Sequence, residues 1–288
     1  MIPATADTSY ELRIRPNRSW LRFDWRGIWE YRDLLFLLVR RDFVSKYQQT
    51  VLGPAWFVIQ PLVTTLVFTL IFGKAAKIPT DGLPPMLFYL CGMLAWSYFA
   101  NTFGSTSTTL VGNAGLFGKV YFPRMVVPLS TLLSNLFAFA IQLATFLLFW
   151  AFFKYFTPDG AHIQMRWQIV ALPLLILHLA ALSLGVGLWM SALTAKYRDF
   201  AQLSGFMIQL WMYGTPVIFP LSVIPLSWRW LVLLNPMTMP TEAFKYIFLG
   251  QGFCNTGYYA ISAIITVVVL VTGQMIFQKV ERNFVDVV

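Results

Sequence analysis

The sequence predicts an all-α integral membrane protein with six transmembrane helices. Hydrophobic residues make up 58% of its 288 residues and charged residues only 11%, against about 45–50% and about 25% in a typical soluble domain. Charge is also absent from six segments, each longer than the roughly 20 residues that a spanning helix needs. These segments are 47–73, 82–118, 125–153, 167–195, 200–228 and 246–278.

The distribution of basic residues predicts the orientation of the chain. Fifteen of the 21 lysine and arginine residues fall on the side of the membrane that carries both termini. By the positive-inside rule that side is the cytoplasm, and an even number of spans agrees with this assignment. The net charge of +9 is therefore attributed to topology and to contact with anionic lipid head groups, rather than to binding of nucleic acid.

The N-terminal residues and the two cysteines carry no mark of a secreted protein. The first 35 residues contain no apolar core followed by a small-residue cleavage site, so we expect no secretory signal peptide. Cys91 lies within a predicted span and Cys254 in a loop, a placement that predicts neither a disulfide framework nor a metal site.

Residues 1–53 are predicted to form a cytoplasmic N-terminal segment with two helices. From residue 20 onward, charged residues recur every three or four positions on one face and apolar residues on another. A basic, Trp-rich amphipathic helix of this kind lies in the membrane interface, and a soluble helix packed on a partner is the alternative. In the second helix Asp42 and Lys46 are spaced to pair. Gly53 and Pro54 then end it, and Pro54 suits the first turn of a new helix.

Residues 54–278 are predicted to form the transmembrane domain, followed by a cytoplasmic tail at 279–288. The second span ends in a hydroxyl-rich run suited to bonding other helices or lining a wet cavity, and Gly185 and Gly187 in the fourth allow close helix contact. The spans are predicted at about 54–73, 86–109, 128–152, 168–193, 201–219 and 258–277.

Prolines interrupt the segment 220–257, between the fifth and sixth spans. Its apolar pieces are too short to cross a membrane, so the segment is predicted to form a pair of re-entrant or interfacial helices on the outer face. Glu242 and Lys245 lie close enough along the chain to pair within it.

Several kinds of chemistry are missing from the predicted spans. They contain none of the 12 Asp and Glu residues. This disfavours a proton-coupled carrier, which needs buried carboxylates, and a membrane transferase, which needs clustered acidic residues for Mg²⁺. The chain is therefore not expected to be an enzyme. The stretch "GNAGLFGKV", residues 112–120, fails as a phosphate-binding loop at Asn113 and Val120. His178 is the one imidazole in a span, and such a residue is either functional or hydrogen-bonded to a neighbouring helix.

Three stretches carry a family resemblance. "RRDFVSKYQQTVLGPAWFVIQPL" (40–62), "LFGKVYFPRMVVPLS" (116–130), and "AKYRDF" (195–200) with "LWMYGTPVIFP" (210–220) resemble the membrane subunits of type-2 ABC exporters. The similarity is strongest to the branch that exports lipid-linked polysaccharides such as O antigen, capsule and teichoic acid, and it covers nearly the whole chain from about residue 20. It implies a homodimer in the bacterial inner membrane, paired with two copies of a separate ATPase that binds ATP and Mg²⁺; no cofactor is expected in this chain.

The resemblance also implies a coupling helix that docks on the ATPase, at Leu116 to Arg124. An aromatic wedge flanked by basic residues suits an interface anchor, although an ordinary positive-inside loop remains the alternative. The predicted contact residues are Lys119, Tyr121, Phe122, Pro123 and Arg124, with a second contact at Tyr197 and Arg198 that is equally well explained as a membrane-edge anchor.

The implied substrate is a sugar chain joined through pyrophosphate to an isoprenoid lipid. Arg40 and Arg41, with Lys46 and Tyr47, are predicted to bind the head group, because the guanidinium fork matches phosphate oxygens. Positive-inside charge alone is the alternative for these residues.

A sliding sugar chain needs many weak contacts, which aromatic faces and amides provide. The resemblance implies that spans one and five line the channel, and packing near Met212 and the outer helix pair would seal it. The predicted lining residues are Trp56, Phe57, Gln60, Trp96, Tyr98, Phe99, Gln209, Trp211, Met212, Tyr213 and Phe219. Two other functions stay open, namely export of a drug or small lipid and a membrane scaffold without transport activity.

Overall fold

The structure is a computed structural model that describes residues 25–117 and 119–284. Its helical class agrees with the sequence prediction. Within the described ranges the chain forms α1 (Trp25–Glu30), α2 (Arg32–Ser45), α3 (Trp56–Phe68), α4 (Pro85–Ser107), α5 (Thr109–Gly112), α6 (Ala114–Phe117), α7 (Val126–Phe156), α8 (Leu172–Lys196), α9 (Phe200–Tyr213), α10 (Leu226–Leu234), α11 (Thr238–Leu249) and α12 (Thr256–Phe284).

Four helical stretches of the described chain are long and apolar enough to cross a membrane. They are Gly53–Ala75, Val126–Phe156, Trp167–Lys196 and Thr256–Glu281, and they coincide with predicted spans one, three, four and six. The other two predicted spans correspond to α4 and α9. Helix α4 has 23 residues but ends in the hydroxyl-rich run, and α9 has only 14, because the helix stops at Gly214 and not at residue 219.

Helix α4 forms the centre of the fold. Its side chains from Leu87 to Trp96 are buried without interruption, since α3, α7, α8, α9 and α11 all pack around it. A helix that is enclosed in this way is apolar on every face. The hydrophobic core is therefore built outward from α4.

Two glycines of α8 permit the close helix contacts that the sequence predicted. A Cβ atom at Gly185 would lie 2.8 Å from the Cα of Leu270 in α12, and one at Gly187 would lie 2.6 Å from the Cβ of Thr106 in α4. Any larger side chain would push these backbones apart.

The segment after α9 contains two short helices, and their predicted re-entrant or interfacial placement stays a prediction. Helices α10 and α11 have 9 and 12 residues and are joined by a turn at Asn235. Nearly all of α11 is buried, whereas in α10 Leu233 alone is buried. The pair therefore attaches to the rest of the protein mainly through α11.

The N-terminal helices and the turn into α3 also follow the sequence pattern, although the first residues of the predicted amphipathic helix lie outside the described residues. Ile28 and Leu38 are buried against the protein, while Trp29 and Phe36 are exposed. After Ser45 the chain turns back, and Gly53 adopts a φ of +52°, a conformation that glycine tolerates best. Pro54 occupies the first turn of the next helical segment, as expected.

Candidate functional site at the turn between α2 and α3

Arg41 is held by the protein itself. Its Nη2 and Nε atoms donate to Asp42 Oδ1 over 2.7 and 2.9 Å, and Nη2 also lies 3.3 Å from Asn113 Oδ1 beyond α5. The other carboxylate oxygen of Asp42 accepts a 3.2 Å hydrogen bond from Ser130 in α7. The guanidinium therefore ties α2 to the residues beyond α5 and, through Asp42, to α7, while the Arg41 side chain is still 46% exposed.

Lys46 is likewise directed inward. Lys46 is exposed as a residue, but its ammonium donates to Asn135 Oδ1 in α7. Burial of the ammonium lowers the pKa of Lys46 below its ordinary value, and the Asp42 carboxylate partly opposes that shift. Asp42 thus pairs with Arg41 rather than with Lys46, which the i, i+4 spacing had suggested.

Arg40 has the opposite environment. It is exposed, and no hydrogen bond or ion pair joins it to the residues that the structure describes. It follows Phe36 and Leu37 by one helical turn, and both of these apolar side chains are more than 60% exposed. Arg40 therefore presents a free guanidinium beside an apolar surface.

An aromatic cluster fixes α2 against the next helix. The Phe43 ring stacks on Phe57 of α3, with centroids 5.2 Å apart, and Tyr47 meets the edge of the same ring at 6.3 Å. Phe137 of α7 lies 6.0 Å from Phe43. Phe57 is thereby occupied by contacts within the protein.

Two predicted lining residues of α3 lie on its exposed face. Trp56 is 44% exposed, and Gln60 is exposed one helical turn later. Exposed valine and leucine residues continue this face toward the end of α3. The face is polar and aromatic at its start and aliphatic beyond.

Helix α9 presents a second exposed face, on which Gln209 and Tyr213 share one side at i, i+4. Tyr213 and Phe206 are 54% and 56% exposed, respectively. Trp211 points the other way: its ring lies 5.1 Å from that of Phe99 and its Nε1 donates to Asn235. Met212 and Phe219 are half-buried.

The predicted lining residues of α4 are buried in the protomer. Trp96, Tyr98 and Phe99 are at most 3% exposed, and the Tyr98 ring packs 5.3 Å from Phe139 of α7. In this arrangement they contribute to the core, and their role in a channel stays a prediction.

The coupling helix predicted at Leu116 to Arg124 does not extend past Phe117, where α6 ends; residues 119–124 form a loop before α7, which divides into an outward and an inward part. Tyr121 is 81% exposed and Val120 is 50% exposed, whereas Phe122 is 5% exposed and its ring packs 5.8 Å from Phe117. Lys119 is exposed and Pro123 half-buried. The aromatic wedge predicted from sequence therefore has one face toward solvent and one toward the core.

Arg124 connects this loop to the last helix. Its Nη1 donates to the backbone carbonyl of Glu281 in α12, its Nε lies 3.9 Å from the Glu281 carboxylate, and its guanidinium lies 5.6 Å from the centre of the Phe117 ring. At the other end, Tyr31 donates to the Tyr121 carbonyl over 3.2 Å. The loop is thus braced from both sides.

The second predicted contact, at the turn between α8 and α9, is open to solvent. Tyr197 is 51% exposed, its ring lies 5.1 Å from the Lys196 ammonium, and Arg198 is exposed.

His178 is hydrogen-bonded to a neighbouring helix, which is one of the two roles that the sequence left open for it. Its two ring nitrogens lie 3.2 Å from Tyr259 Oη and 2.8 Å from Thr266 Oγ1, both in α12. The histidine therefore fastens α8 to α12.

Four neutral polar residues complete these networks, and the sequence analysis gave none of them this role. Their signal was an amide or hydroxyl within an apolar stretch, which requires a partner when buried. They are Asn113, Ser130, Asn135 and Asn235.

Comparison with known proteins identifies the family. Residues 33–249 match the family model described as ABC-2 type transporter. The chain belongs to the ABC-2 type transporter family. The match begins in the first turn of α2 and ends at the last residue of α11, so the ABC-2 type transporter region includes the α2–α3 turn, the loop before α7 and the exposed face of α9.

Named relatives extend the match beyond this region. The chain is 27% identical to the O-antigen export system permease protein RfbA of Myxococcus xanthus over 91% of this chain and 97% of that protein. It is 25% identical to the RfbA protein of Klebsiella pneumoniae over 88% and 95%, respectively. It is 21% identical to the polysialic acid transport protein KpsM of Escherichia coli over 81% and 88%.

Proposed function

We propose that this ABC-2 type transporter chain is the permease subunit of an exporter that moves a lipid-linked polysaccharide across the bacterial inner membrane. The names of the relatives favour this substrate class. The observation that carries the proposal is Arg40: a free guanidinium next to exposed apolar side chains in α2, the helix that precedes the turn into α3. A lipid phosphate presents an anion and an apolar tail together, and both parts find a counterpart there.

The proposed topology has six spans and both termini in the cytoplasm. In chain order, spans one to four are α3, α4, α7 and α8. Span five is α9 continued through the irregular residues to 219, and span six is α12. Residues 1–53 form the cytoplasmic segment and 279–288 the tail. Helices α10 and α11 form the re-entrant pair on the outer side, within 220–257.

Head-group recognition is divided among the basic residues. Arg40 contacts the pyrophosphate directly, while Arg41 and Lys46 orient α2 through Asp42 and Asn135. Tyr47 completes the site through its contact with Phe57. Direct contact by one guanidinium allows release of the lipid after transport, because a single exposed charge pair is weak.

The path for the sugar chain is proposed between two copies of the permease. The exposed faces of α3 and α9 line it, with Trp56 and Tyr213 as stacking platforms and Gln60 and Gln209 as hydrogen-bonding groups. Met212 and Phe219 lie toward the end of α9 and contribute to the seal with α10 and α11.

Two copies of a partner ATPase supply the energy. The outward part of the loop before α7, Lys119 to Tyr121, docks on the ATPase, and Tyr197 with Arg198 forms a second contact. Phe122 and Arg124 transmit the resulting movement to the core and to α12, respectively.

The deciding experiment asks which side of the membrane holds the glycan. In a strain without the gene, lipid-linked glycan accumulates on the cytoplasmic side, and the wild-type gene restores export while Arg40→Gln does not. An ATPase activity of the purified complex that ignores lipid-linked glycan but responds to small hydrophobic compounds would favour the drug or small-lipid exporter instead. The membrane scaffold would be favoured if loss of the gene leaves the glycan distribution unchanged and if neither lipid-linked glycan nor small hydrophobic compounds stimulate the ATPase.

A further inference from the structure

The residues that follow α9 are irregular in backbone and yet buried. Thr215 and Val217 are fully buried and Ile218 is 4% exposed. Gly92 of α4 permits this packing, since a Cβ atom there would lie 3.0 Å from the carbonyl oxygen of Val217. Irregular backbone at such a depth is stable only if other groups satisfy its polar atoms.

Asn235, in the turn between α10 and α11, supplies the first set of partners. Its Nδ2 donates to the carbonyl of Gly214 over 2.9 Å and to Thr215 Oγ1 over 3.0 Å. Its Oδ1 accepts hydrogen bonds from Trp211 Nε1 at 2.8 Å and from the backbone of Met237 at 3.0 Å. Both ends of the amide are thus engaged, and three of the four partners lie in the last turn of α9 or directly after it.

Lys245 of α11 supplies the next partner. Its ammonium donates to the carbonyl of Pro216 and to Glu242 Oε1 at 3.1 Å, and it lies 4.1 Å from the centre of the Phe88 ring in α4. Glu242 in turn accepts a 2.9 Å hydrogen bond from the backbone of Phe253. The sequence-predicted pair is therefore confirmed, and it reaches two irregular segments and α4.

The burial of this pair makes its backbone contacts informative. The side chains of Lys245 and Glu242 are 2% and 3% exposed. A buried ion pair by itself adds little net stability, because desolvation offsets the attraction. An apolar pair of the same size would lack two hydrogen bonds to the backbone, namely the one that Lys245 donates to Pro216 and the one that Glu242 accepts from Phe253.

We infer that Asn235 and the Lys245–Glu242 pair are positioning residues that join the outer end of α9 to α10 and α11, so that these helices move as one unit during transport. The inference rests on the proposed function, in which the exposed face of α9 lines the path. Ser204 is the one buried residue within α9, and besides the contact of Trp211 with Phe99 of α4 the hydrogen bonds of Asn235 and Lys245 hold the residues beyond Tyr213.

Spin-label distances test this unit directly. Labels on cysteines introduced at the exposed positions Leu210 and Ser227, with Cys254→Ser removing the exposed native thiol, report the separation of α9 and α10. Labelled permease is mixed with an excess of unlabelled permease, assembled with its ATPase in lipid, and measured with and without ATP. We expect one narrow distance that ATP does not change.

Variants separate positioning from folding. Lys245→Met alone leaves the Glu242 charge buried, so the double variant Glu242→Leu/Lys245→Met, which removes both charges, is the informative one. We expect this variant and Asn235→Ala to insert normally, to lose the single narrow distance and to export less glycan, whereas Lys245→Arg retains both properties.

A control variant removes another lysine whose ammonium donates to backbone carbonyls, outside α9, α10 and α11. Lys154 Nζ donates to the carbonyls of Gly160 and Ile163 at the end of α7, and Lys154→Met should leave the α9–α10 distance narrow. An ATP-dependent shift of the wild-type distance, or a wild-type distribution in the double variant and Asn235→Ala, would overturn the inference. Failure of the wild-type complex to export glycan contradicts only the proposed function, because the distances are measured independently of the cargo.

Discussion

The ring of Phe43 stacks on the ring of Phe57 with centroids 5.2 Å apart and planes within 9°. This contact closes the turn between α2 and α3, because the two residues lie on either side of residues 46–55. Together with the contacts of Arg41, Asp42 and Lys46 to neighbouring elements, this pair holds the orientation of α2, and with it of Arg40, relative to the first span.

Removing this stack should therefore impair export. Phe43→Ala is expected to lower the thermal stability of the purified permease modestly, since an aromatic pair adds about 0.5–1.5 kcal/mol beyond its buried area, and to reduce glycan export more strongly. Phe152→Ala is the matched control, because Phe152 stacks on Phe156 at the far end of α7 with centroids 5.8 Å apart. Equal export by the two variants would contradict the role of the α2–α3 contact.

Substitution of Arg40 should affect transport without affecting assembly. Arg40→Gln is expected to insert and to bind the ATPase as the wild type does but to lower export, because it removes the free guanidinium. Arg40→Lys should retain part of the activity, since it keeps the charge but loses the planar fork. Glycan export and membrane abundance are measured in parallel.

The control for Arg40 is Arg32→Gln, which removes an exposed charge from the same helix. Equal loss of export and of insertion in both variants would leave only the topological role of positive charge. Arg41→Gln should behave differently from both, with lower stability, because it breaks contacts to Asp42 and Asn113.

The features that could be predicted from the sequence depend on local composition and spacing. The helical class, the turn at Gly53 and Pro54, the close contacts of Gly185 and Gly187 and the pairing of Glu242 with Lys245 all belong to this group. Each follows from the preferences of one residue type or from its immediate neighbours.

Features that depend on tertiary contacts could not be predicted from the sequence pattern. Tyr121 and Phe122 are adjacent and chemically similar, yet the loop turns one outward and the other inward. Helix α9 ends at Tyr213, where Gly214 and Pro216 give a local stop signal, but the packing of the irregular residues that follow depends on Asn235 and Lys245, more than 20 residues later in the sequence. No local signal distinguishes the two rings or identifies these distant partners.

The free energy of unfolding of the permease should depend on pH in the alkaline range because of Lys46. Burial lowers the pKa of its ammonium in the folded protein below the ordinary value of 10.5, so the folded state releases this proton before the unfolded state does. The penalty of holding a buried charge is present at neutral pH and is relieved as the pH rises through the lowered pKa. The melting temperature of the wild type relative to Lys46→Met should therefore increase toward alkaline pH.

Thermal unfolding at several pH values between neutral and the ordinary lysine pKa measures this difference. Lys119→Met, which removes an exposed lysine from the loop before α7, controls for the general loss of a positive charge. A difference between wild type and Lys46→Met that does not change with pH would show that the ammonium is not appreciably desolvated in the folded protein.

The two faces of the loop before α7 should respond differently to substitution. Tyr121→Ala removes an 81% exposed ring and is expected to weaken binding of the ATPase while leaving the permease as stable as the wild type. Phe122→Ala removes a ring that is 5% exposed and should destabilise the permease by about 3–5 kcal/mol, as for other buried phenylalanines. Co-purification of the ATPase and thermal unfolding of the permease alone separate the two effects. Reduced binding with unchanged stability in Phe122→Ala would mean that this ring, and not Tyr121, faces the partner, because only a side chain outside the core can be truncated without creating a cavity.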